Sequence, residues 1–318
     1  MTCIMASKAL MPMFFIVFGY SFKAAETKKM LKKSFSELLV PYLIVMGAYA
    51  VLYPIANYPA YGSWQPAFAR SAQFVTAFLL GWTRAGYSFL NYELAWCTAA
   101  WFFLTLFVAA NVFNLILKLK DQKHVFLAVF FAYSLSFVLV DIGFFLYCIP
   151  QALQMVAYCY VGYVLKEYRI IERILNHVWT YVILVSVFFM AYKWGTIDVS
   201  QGIFGKYILD FIGMSASGLL LMLLSIHISR FEVRALEWIS NIGVYSYWLI
   251  IVHAIEMEVI PWYFMPLSMP DHLLIAFFIE ILIKIVIMTV TCILMKEIAK
   301  RRYRRRRLAA QRSSSRTS

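Results

Sequence analysis

One histidine stands in the middle of a long apolar run, and its chemistry makes it the first candidate for catalysis. His253 follows the apolar residues 247–252, and Ser246 lies seven positions earlier, so the two side chains share roughly one helix face. An ionisable side chain at membrane depth is costly and is by default a functional candidate, and imidazole is the usual general base near neutral pH. A neutral histidine hydrogen-bonded to a neighbouring helix explains the residue equally well, so both interpretations stay open.

A second ionisable pair lies in the last apolar run of the chain. Glu280 precedes Lys284 by four positions, which is the favourable order for pairing along a helix. Pairing lowers the cost of placing two charges within a membrane. The spacing therefore predicts a buried ion pair. Its first interpretation is structural, and a proton relay or a contact with a polar substrate is the alternative.

Four lysines between the first two apolar runs could bind an anion. They are Lys28, Lys29, Lys32 and Lys33. Clustered cations would attract the phosphates of a cytosolic acyl donor such as acetyl-CoA. They are equally typical of an ordinary cytoplasmic loop of a membrane protein, and their position alone does not separate the two interpretations.

The stretch 58–94 is rich in proline, glycine and aromatic residues and carries two further candidates, Arg84 and Glu93. Tryptophan and tyrosine are common where a membrane meets water, so an aromatic belt is the first interpretation. Aromatic rings also stack on sugars, and on that alternative Arg84 and Glu93 are candidate glycan contacts.

Long apolar helices must position these side chains, and the composition of the chain predicts such helices. Of 318 residues, 63% are hydrophobic and only 14% are charged, and the mean hydropathy is +0.74. A soluble domain carries about 25% charged residues, so lipid must be the solvent of this chain. The apolar runs are long and do not alternate, which favours helices over a barrel.

The sequence therefore predicts an all-α, polytopic transmembrane helical bundle in one domain, 1–299, followed by a basic tail, 300–318, that we expect to be disordered. Residues 73–90 are apolar but interrupted, and we expect them to be re-entrant or interfacial. Nine spans are predicted, at 6–22, 36–57, 95–117, 125–141, 143–165, 177–194, 208–228, 238–258 and 273–295.

The net charge of +13 is distributed unevenly about these spans. Alternate loops hold 23 lysines and arginines on one side and 5 on the other, which is the positive-inside pattern. The basic loops and the C-terminus are thus expected in the cytoplasm, at an inner or plasma membrane. There the tail meets anionic lipid headgroups, at about 1 kcal/mol per charge, and a nucleic-acid partner is not expected.

The same topology places the N-terminus outside. An N-terminus outside without a signal peptide is unusual, and one further span upstream would resolve it and raise the count to ten. The five cysteines all lie in apolar segments without the spacing of a metal site. We therefore expect no disulfide framework and no metal.

Four segments carry a resemblance to a known family. In this order and context they resemble the acyltransferase family 3 enzymes, and most closely the membrane sugar O-acetyltransferases related to fucose 4-O-acetylase. They are 11–20 (MPMFFIVFGY), 38–42 (LLVPY), 101–104 (WFFL), and 242–246 (IGVYS) followed by His253.

The resemblance implies ten spans and transfer of an acetyl group from acetyl-CoA, as co-substrate, to a hydroxyl of a lipid-linked or cell-surface saccharide, with no bound cofactor. It also implies that the lysines of the segment before Leu38 meet the CoA phosphates and that Trp101 and Ser246 line the substrate. The chain departs from the family pattern at Leu10, Phe18 and Glu37, where the family usually shows histidine, serine and arginine. The resemblance implies that the family's catalytic histidine belongs to a first span, which we expect to be missing from these 318 residues.

Two other functions fit the sequence. A transporter or flippase for a glycan intermediate suits the glycine- and proline-interrupted spans and the pair Glu280 and Lys284. A degenerate, non-catalytic member that acts as a scaffold in polysaccharide assembly suits the departures from the family pattern.

Overall fold

The computed structural model describes residues 2–84, 88–89, 92–195, 198–231, 233, 236, 240, 243, 245–262 and 272–314. The described residues are almost entirely helical, and the predicted all-α bundle is confirmed. The α-helices are α1 (Thr2–Ser21), α2 (Thr27–Ser34), α3 (Val40–Tyr61), α4 (Trp64–Leu80), α5 (Trp101–Ile116), α6 (Gln122–Asp141), α7 (Ile149–Glu167), α8 (Ile170–Ile174), α9 (Val178–Trp194), α10 (Tyr207–Ile228), α11 (Ser246–Val259) and α12 (Leu273–Ser314).

Short irregular elements join these helices. Two strands of two residues each, β1 (Ser88–Phe89) and β2 (Tyr92–Glu93), pair antiparallel before α5. Single 3-10 turns cover Thr98–Ala100, Leu146–Cys148 and Val199–Gln201.

Six helices among the described residues are long and apolar enough to cross a membrane. They are Thr27–Tyr61, Thr98–Ile116, Gln122–Asp141, Leu146–Glu167, Tyr207–Ile228 and Leu273–Ile298, and two shorter apolar helices, Met11–Ser21 and Val178–Trp194, accompany them. Eight of the nine predicted spans thus coincide with apolar helices. The remaining one, 238–258, is described from Ser246 as the 14-residue helix α11, and several of its earlier residues lie outside the described part.

Helix α7 is the centre of the bundle and packs against α1, α5 and α6. Its crossing with α1 depends on glycine: a Cβ atom on Gly162 would overlap the carbonyl oxygen of Ile16, and one on Gly19 would overlap that of Cys159. Small residues let two membrane helices approach to backbone contact and gain packing that lipid does not supply. The crossing therefore fixes α1 firmly on α7.

Helices α1, α5 and α7 run in the same direction. Leu104, near the start of α5, and Tyr147, just before α7, both lie against Gly81. Near the ends of the same helices, the Phe113 ring lies 5.1 Å from that of Phe22 and 6.3 Å from that of Tyr163. We call the end where α1 and α5 finish the basic end, because Lys23, Lys33 and Lys118 lie there, and the other end, where α5 and α7 begin, the opposite end.

Helices α2 and α3 form one continuous helix of 35 residues, Thr27–Tyr61, interrupted by a π-helical turn at Phe35–Leu39. Helix α4 then returns antiparallel along α3, since Ser71 donates a hydrogen bond to the Tyr49 carbonyl and Tyr42 donates one to that of Phe78. The segment 73–90, expected to be re-entrant or interfacial, contains the end of this helix, which begins at Trp64 and ends at Leu80, where Gly81 adopts a left-handed cap. Its re-entrant or interfacial placement stays a prediction.

Helix α12 differs from the prediction at its C-terminal end. The tail from residue 300 was expected to be disordered, but the helix continues to Ser314. Arginine, alanine and leucine dominate this stretch, and all three are strong helix formers. A helix already formed by the apolar part therefore extends without a new nucleation cost.

Candidate functional site

A cavity of about 200 Å³ opens at the basic end of the bundle. It lies between the end of α1, the continuous helix of α2 and α3, and α5. Its lining combines charged, hydroxyl and apolar side chains: Phe18, Ser21, Phe22, Lys23, Met30, Lys33, Ser34, Glu37, Leu38 and Ala110.

Hydrogen bonds from α5 and from the turn that follows it fix residues 25–34, which form one wall of the cavity. Asn111 donates a 2.9 Å bond from Nδ2 to the hydroxyl of the buried Ser34, and Asn114 accepts a 2.9 Å bond at Oδ1 from the Ala25 backbone. Lys118 donates a 2.6 Å bond to Thr27. Directly after Ser34 the chain enters the π-helical turn that contains Glu37. Such turns are rare and are frequent at functional sites.

The charges at the mouth of the cavity come from three side chains, Lys23, Lys33 and Glu37. The Lys33 Nζ atom lies 4.0 Å from a Glu37 carboxylate oxygen, and both side chains are mostly exposed. Of the four predicted lysines, Lys33 lines the cavity, while Lys28, Lys29 and Lys32 are exposed on α2 and are not among its lining residues. Lys29 instead pairs with Glu26 at 3.4 Å.

Sequence reasoning missed Lys23 as a site residue. In the sequence it is one of the 23 lysines and arginines of the basic loops. The available signal was its position two residues after the end of the first apolar helix, which ends at Ser21. A lysine there lies at the open end of the bundle.

The inner wall of the cavity is apolar and aromatic. The Phe18 and Phe22 rings meet at 5.4 Å in an edge-to-face arrangement, and Met30 is buried beside them. Phe18 occupies the position at which the sequence departs from the serine of the resembled family. The cavity therefore joins a cationic mouth to an apolar wall.

A second arrangement lies on α11 and contains the predicted catalytic residue. His253 Nδ1 is 2.9 Å from Glu256 Oε1; the Glu256 side chain is only 4% exposed, whereas that of His253 is 46% exposed. The other carboxylate oxygen of Glu256 has no hydrogen-bond partner among the described residues. The partnership was missed in the sequence, although the spacing of three residues signals it.

The face of α11 that carries His253 also carries Ser246, and both residues are exposed. The buried face of the same helix carries Ile251 and Ala254 and packs against α3, where the Tyr49 hydroxyl donates a 2.9 Å bond to the Ala254 carbonyl. The common face predicted for His253 and Ser246 is present. Neither residue lines the cavity at the basic end.

The remaining predicted contacts do not converge on one site. Arg84 donates to the carbonyl oxygens of Gln201 and Gly202, at 3.2 and 3.4 Å, and its guanidinium lies 4.0 Å from the centre of the Phe145 ring. Glu93 is exposed in β2, and Trp101 is buried in the core. Arg84 thus joins two loops at the opposite end. The structure does not bring these three residues together.

Glu280 and Lys284 form the predicted ion pair, with Nζ and Oε1 2.6 Å apart. The side chains are 23% and 34% exposed, so the pair is partly rather than fully buried. The reason is the position of α12, of whose apolar window only 6% is buried within the protein. Lys284 also lies 4.8 Å above the ring of Trp262. Among the described residues, no group of three or more histidine, cysteine or acidic side chains could hold a metal ion.

Comparison with known proteins gives one finding. The model of a family described as an acyltransferase domain matches residues 3–297. The match covers the cavity, α11 and the ion pair of α12. No curated protein and no solved structure matches the chain.

Proposed function

The chain belongs to the acyltransferase domain family, family 3, and from that premise we propose that it transfers an acetyl group from acetyl-CoA to a hydroxyl of a cell-surface or lipid-linked saccharide. It is a multi-pass membrane protein, with six long apolar helices among its described residues. The family supports acyl transfer in general, and the donor and the acceptor are our proposal.

The observation that carries the proposal is the cavity at the basic end. Lys23 and Lys33 at its mouth suit the phosphates of a CoA ester, with the exposed Lys28, Lys29 and Lys32 adding to the attraction at longer range. Phe18, Phe22 and Met30 give the cavity an apolar wall, along which the arm of CoA carries the acetyl group out of the cavity toward His253 on α11. By the positive-inside rule this end faces the cytosol of a cell with an inner or plasma membrane, where CoA esters are made, and the basic tail meets anionic headgroups there.

In the proposed reaction, His253 is the general base. The acceptor oxygen attacks the acetyl carbonyl carbon, the carbon–sulfur bond to CoA breaks, and the hydroxyl proton passes to Nε2 of His253 and then to the leaving thiolate. Glu256 accepts the hydrogen bond from Nδ1 and so keeps Nε2 free as the acceptor of the proton. Ser246, on the same exposed face, is a candidate contact for the acceptor.

The donor site is tested with purified protein in lipid nanodiscs, acetyl-CoA carrying a labelled acetyl group, and membrane glycolipids as acceptors. Lys33→Met removes a charge-assisted contact worth about 1.5 kcal/mol or more, so the KM for acetyl-CoA should rise about tenfold or more. Lys28→Met is the matched control, because it removes an equal charge from the same helix outside the cavity. If the two variants have equal KM values for acetyl-CoA, the cavity is not the binding site of the acyl donor.

The base is tested in the same assay with His253→Gln, which keeps a hydrogen-bonding side chain but cannot accept the proton. The kcat should fall about 100-fold or more, while the KM for acetyl-CoA should stay within about twofold because uniform binding is untouched. An unchanged kcat would exclude His253 as the base.

The same material decides between the enzyme and its rivals. Label that appears in saccharide supports the transferase. Absence of labelled saccharide, together with loss of glycan export in cells that lack the protein, would instead support a transporter or a scaffold.

A further inference from the structure

Helix α7 carries a stripe of polar side chains inside the bundle. Gln151, Gln154 and Tyr158 are spaced three and four residues apart, so they share one helix face. All three residues are fully buried. We call them the α7 stripe. It extends about 10 Å along the helix, at about 1.5 Å per residue.

Most of the hydrogen-bonding capacity of the α7 stripe is unused. Gln151 donates a 2.7 Å bond from Nε2 to the Thr83 hydroxyl. Its Oε1 atom, both polar atoms of the Gln154 side chain and the Tyr158 hydroxyl have no partner among the described residues.

The neighbouring helix α5 adds a further unpaired group. Thr105 is fully buried, and its hydroxyl also has no partner among the described residues. Because α5 and α7 run parallel in contact, Thr105 lies near the depth of the stripe.

Such a set is costly unless something binds to it. Each unsatisfied buried donor or acceptor costs about 1–3 kcal/mol, and lipid supplies no compensating partner. Buried polar groups left open by the protein are ordinarily met by internal water or by a ligand.

The chemistry of the groups selects the ligand. The α7 stripe and Thr105 are all uncharged, and together they offer amide donors, amide acceptors and hydroxyls, which do both. The buried carboxylate of Asp210 on α10 accepts a hydrogen bond from the Lys206 backbone. Neutral hydroxyl groups match this set, whereas an ion would leave its charge without a counter-charge in the stripe.

The stripe begins close to the opposite end of the bundle. A Cβ atom on Gly202 would lie 3.1 Å from Gln151 Nε2, so the loop at Gly202 lies directly over the first stripe residue. Arg84 holds that loop through the carbonyls of Gln201 and Gly202. Arg84 therefore fixes the loop that covers the first residue of the stripe.

We propose that the α7 stripe is a binding site for neutral hydroxyl groups, which enter at the opposite end beneath the loop held by Arg84. The hydroxyls come from internal water or from a saccharide. The saccharide source rests on the proposed function, because it makes the stripe a second place that holds the saccharide, apart from the contact at Ser246; the water source does not.

Hydroxyl-radical footprinting of the full chain in nanodiscs tests the site without any acyl donor. Radiolysis of water labels side chains that lie next to bound water, and mass spectrometry gives the labelling rate of each residue. Tyr49 is the internal control, because it is as fully buried as Tyr158 but its hydroxyl is bonded to the Ala254 carbonyl. Tyr158 should be labelled at least about tenfold faster than Tyr49, since internal water collects at unpaired polar groups.

Two further experiments identify where the bound hydroxyl groups come from and which side chain of the stripe holds them. Methyl α-D-glucopyranoside or methyl α-L-fucopyranoside at high concentration should slow labelling of Tyr158 relative to that of the exposed Tyr168 if a saccharide occupies the stripe; the ratio corrects for scavenging of radicals by the sugar. A ratio that neither sugar changes supports water. Gln154→Leu should reduce Tyr158 labelling severalfold, whereas Met155→Leu, its buried neighbour, should not.

Equal rates for Tyr158 and Tyr49 in the unmodified protein would overturn the proposal. That comparison needs no variant to fold. It also leaves the acetyl-CoA assay untouched, so failure of this site and failure of the proposed transferase are separate results.

Discussion

Helices α7 and α12 are both long and apolar enough to cross a membrane, but they occupy opposite environments. In α7, 67% of the apolar window is buried within the protein, and its mean hydropathy is 1.2; in α12 only 6% is buried, and the mean hydropathy is 2.7. The less hydrophobic helix is thus the more buried one.

The physical reason is the solvent. Lipid is as apolar as a leucine side chain, so burial between helices adds little hydrophobic energy, and polar groups are more tolerable inside, where other helices can meet them. Gln151 and Gln154 accordingly lie on α7 in the centre, and α12 presents leucine, isoleucine and phenylalanine outward. Stability in α7 should therefore depend on close packing, whereas stability in α12 should depend little on any one apolar side chain.

The largest expected effect comes from the glycine crossing of α7. Gly162→Ala places a Cβ atom against the Ile16 carbonyl, which forces α1 away and should lower the free energy of unfolding by about 3 kcal/mol. Gly47→Ala on α3 is the control: no atom lies within 4 Å of its Cβ position, and alanine should stabilise that helix by about 0.5–1 kcal/mol. Denaturant titration in detergent micelles measures the free energy of unfolding of both variants. Equal changes would show that α1 and α7 are not closely packed at the crossing.

A smaller contrast is expected from removing apolar volume on each helix. Met155→Ala on α7 empties a fully buried site and should cost about 2–3 kcal/mol. Ile285→Ala on α12 truncates a side chain that is 56% exposed, where lipid fills the space, and should cost less than about 1 kcal/mol. The same denaturant titrations measure the free energy of unfolding of both variants. Similar decreases at the two positions would mean that α12 is covered by protein.

Several features of these helices follow from local sequence patterns. Long apolar runs predicted the helices, because crossing lipid demands about 20 apolar residues. Helical spacing alone predicted the common face of Ser246 and His253 and the pairing of Glu280 with Lys284. The helix from Trp64 to Leu80 was reachable too, since Gly81 signals its end, but the polar and aromatic composition around it obscured the pattern.

The composition of the cavity and the partners of Arg84 depend on tertiary contacts, which local sequence patterns do not contain. Whether Lys33 or Lys28 faces the cavity depends on how α2 docks on α5 through Asn111 and Ser34. Arg84 is a candidate glycan contact in the sequence, and its partners in the structure, Gln201 and Gly202, lie more than a hundred residues further along the chain. No local pattern contains such a pairing. The donor cavity is assembled from three segments, so sequence could suggest its lysines but not select among them.

The smallest expected effect comes from substituting the ion pair of α12, and it tests the environment of that helix most directly. Glu280→Gln and Lys284→Met each remove the ion pair, whose charged atoms lie 2.6 Å apart, and a double-mutant cycle isolates the coupling energy of the two charges. Both side chains are partly exposed, so the coupling should be only about 1 kcal/mol. Lys284→Met should cost more than Glu280→Gln, because it also removes the contact with the Trp262 ring, worth about 0.5–1 kcal/mol. Strict additivity of the two substitutions would contradict the pairing. A coupling of several kcal/mol would instead place the pair in a dry, enclosed site and remove the distinction between α12 and α7.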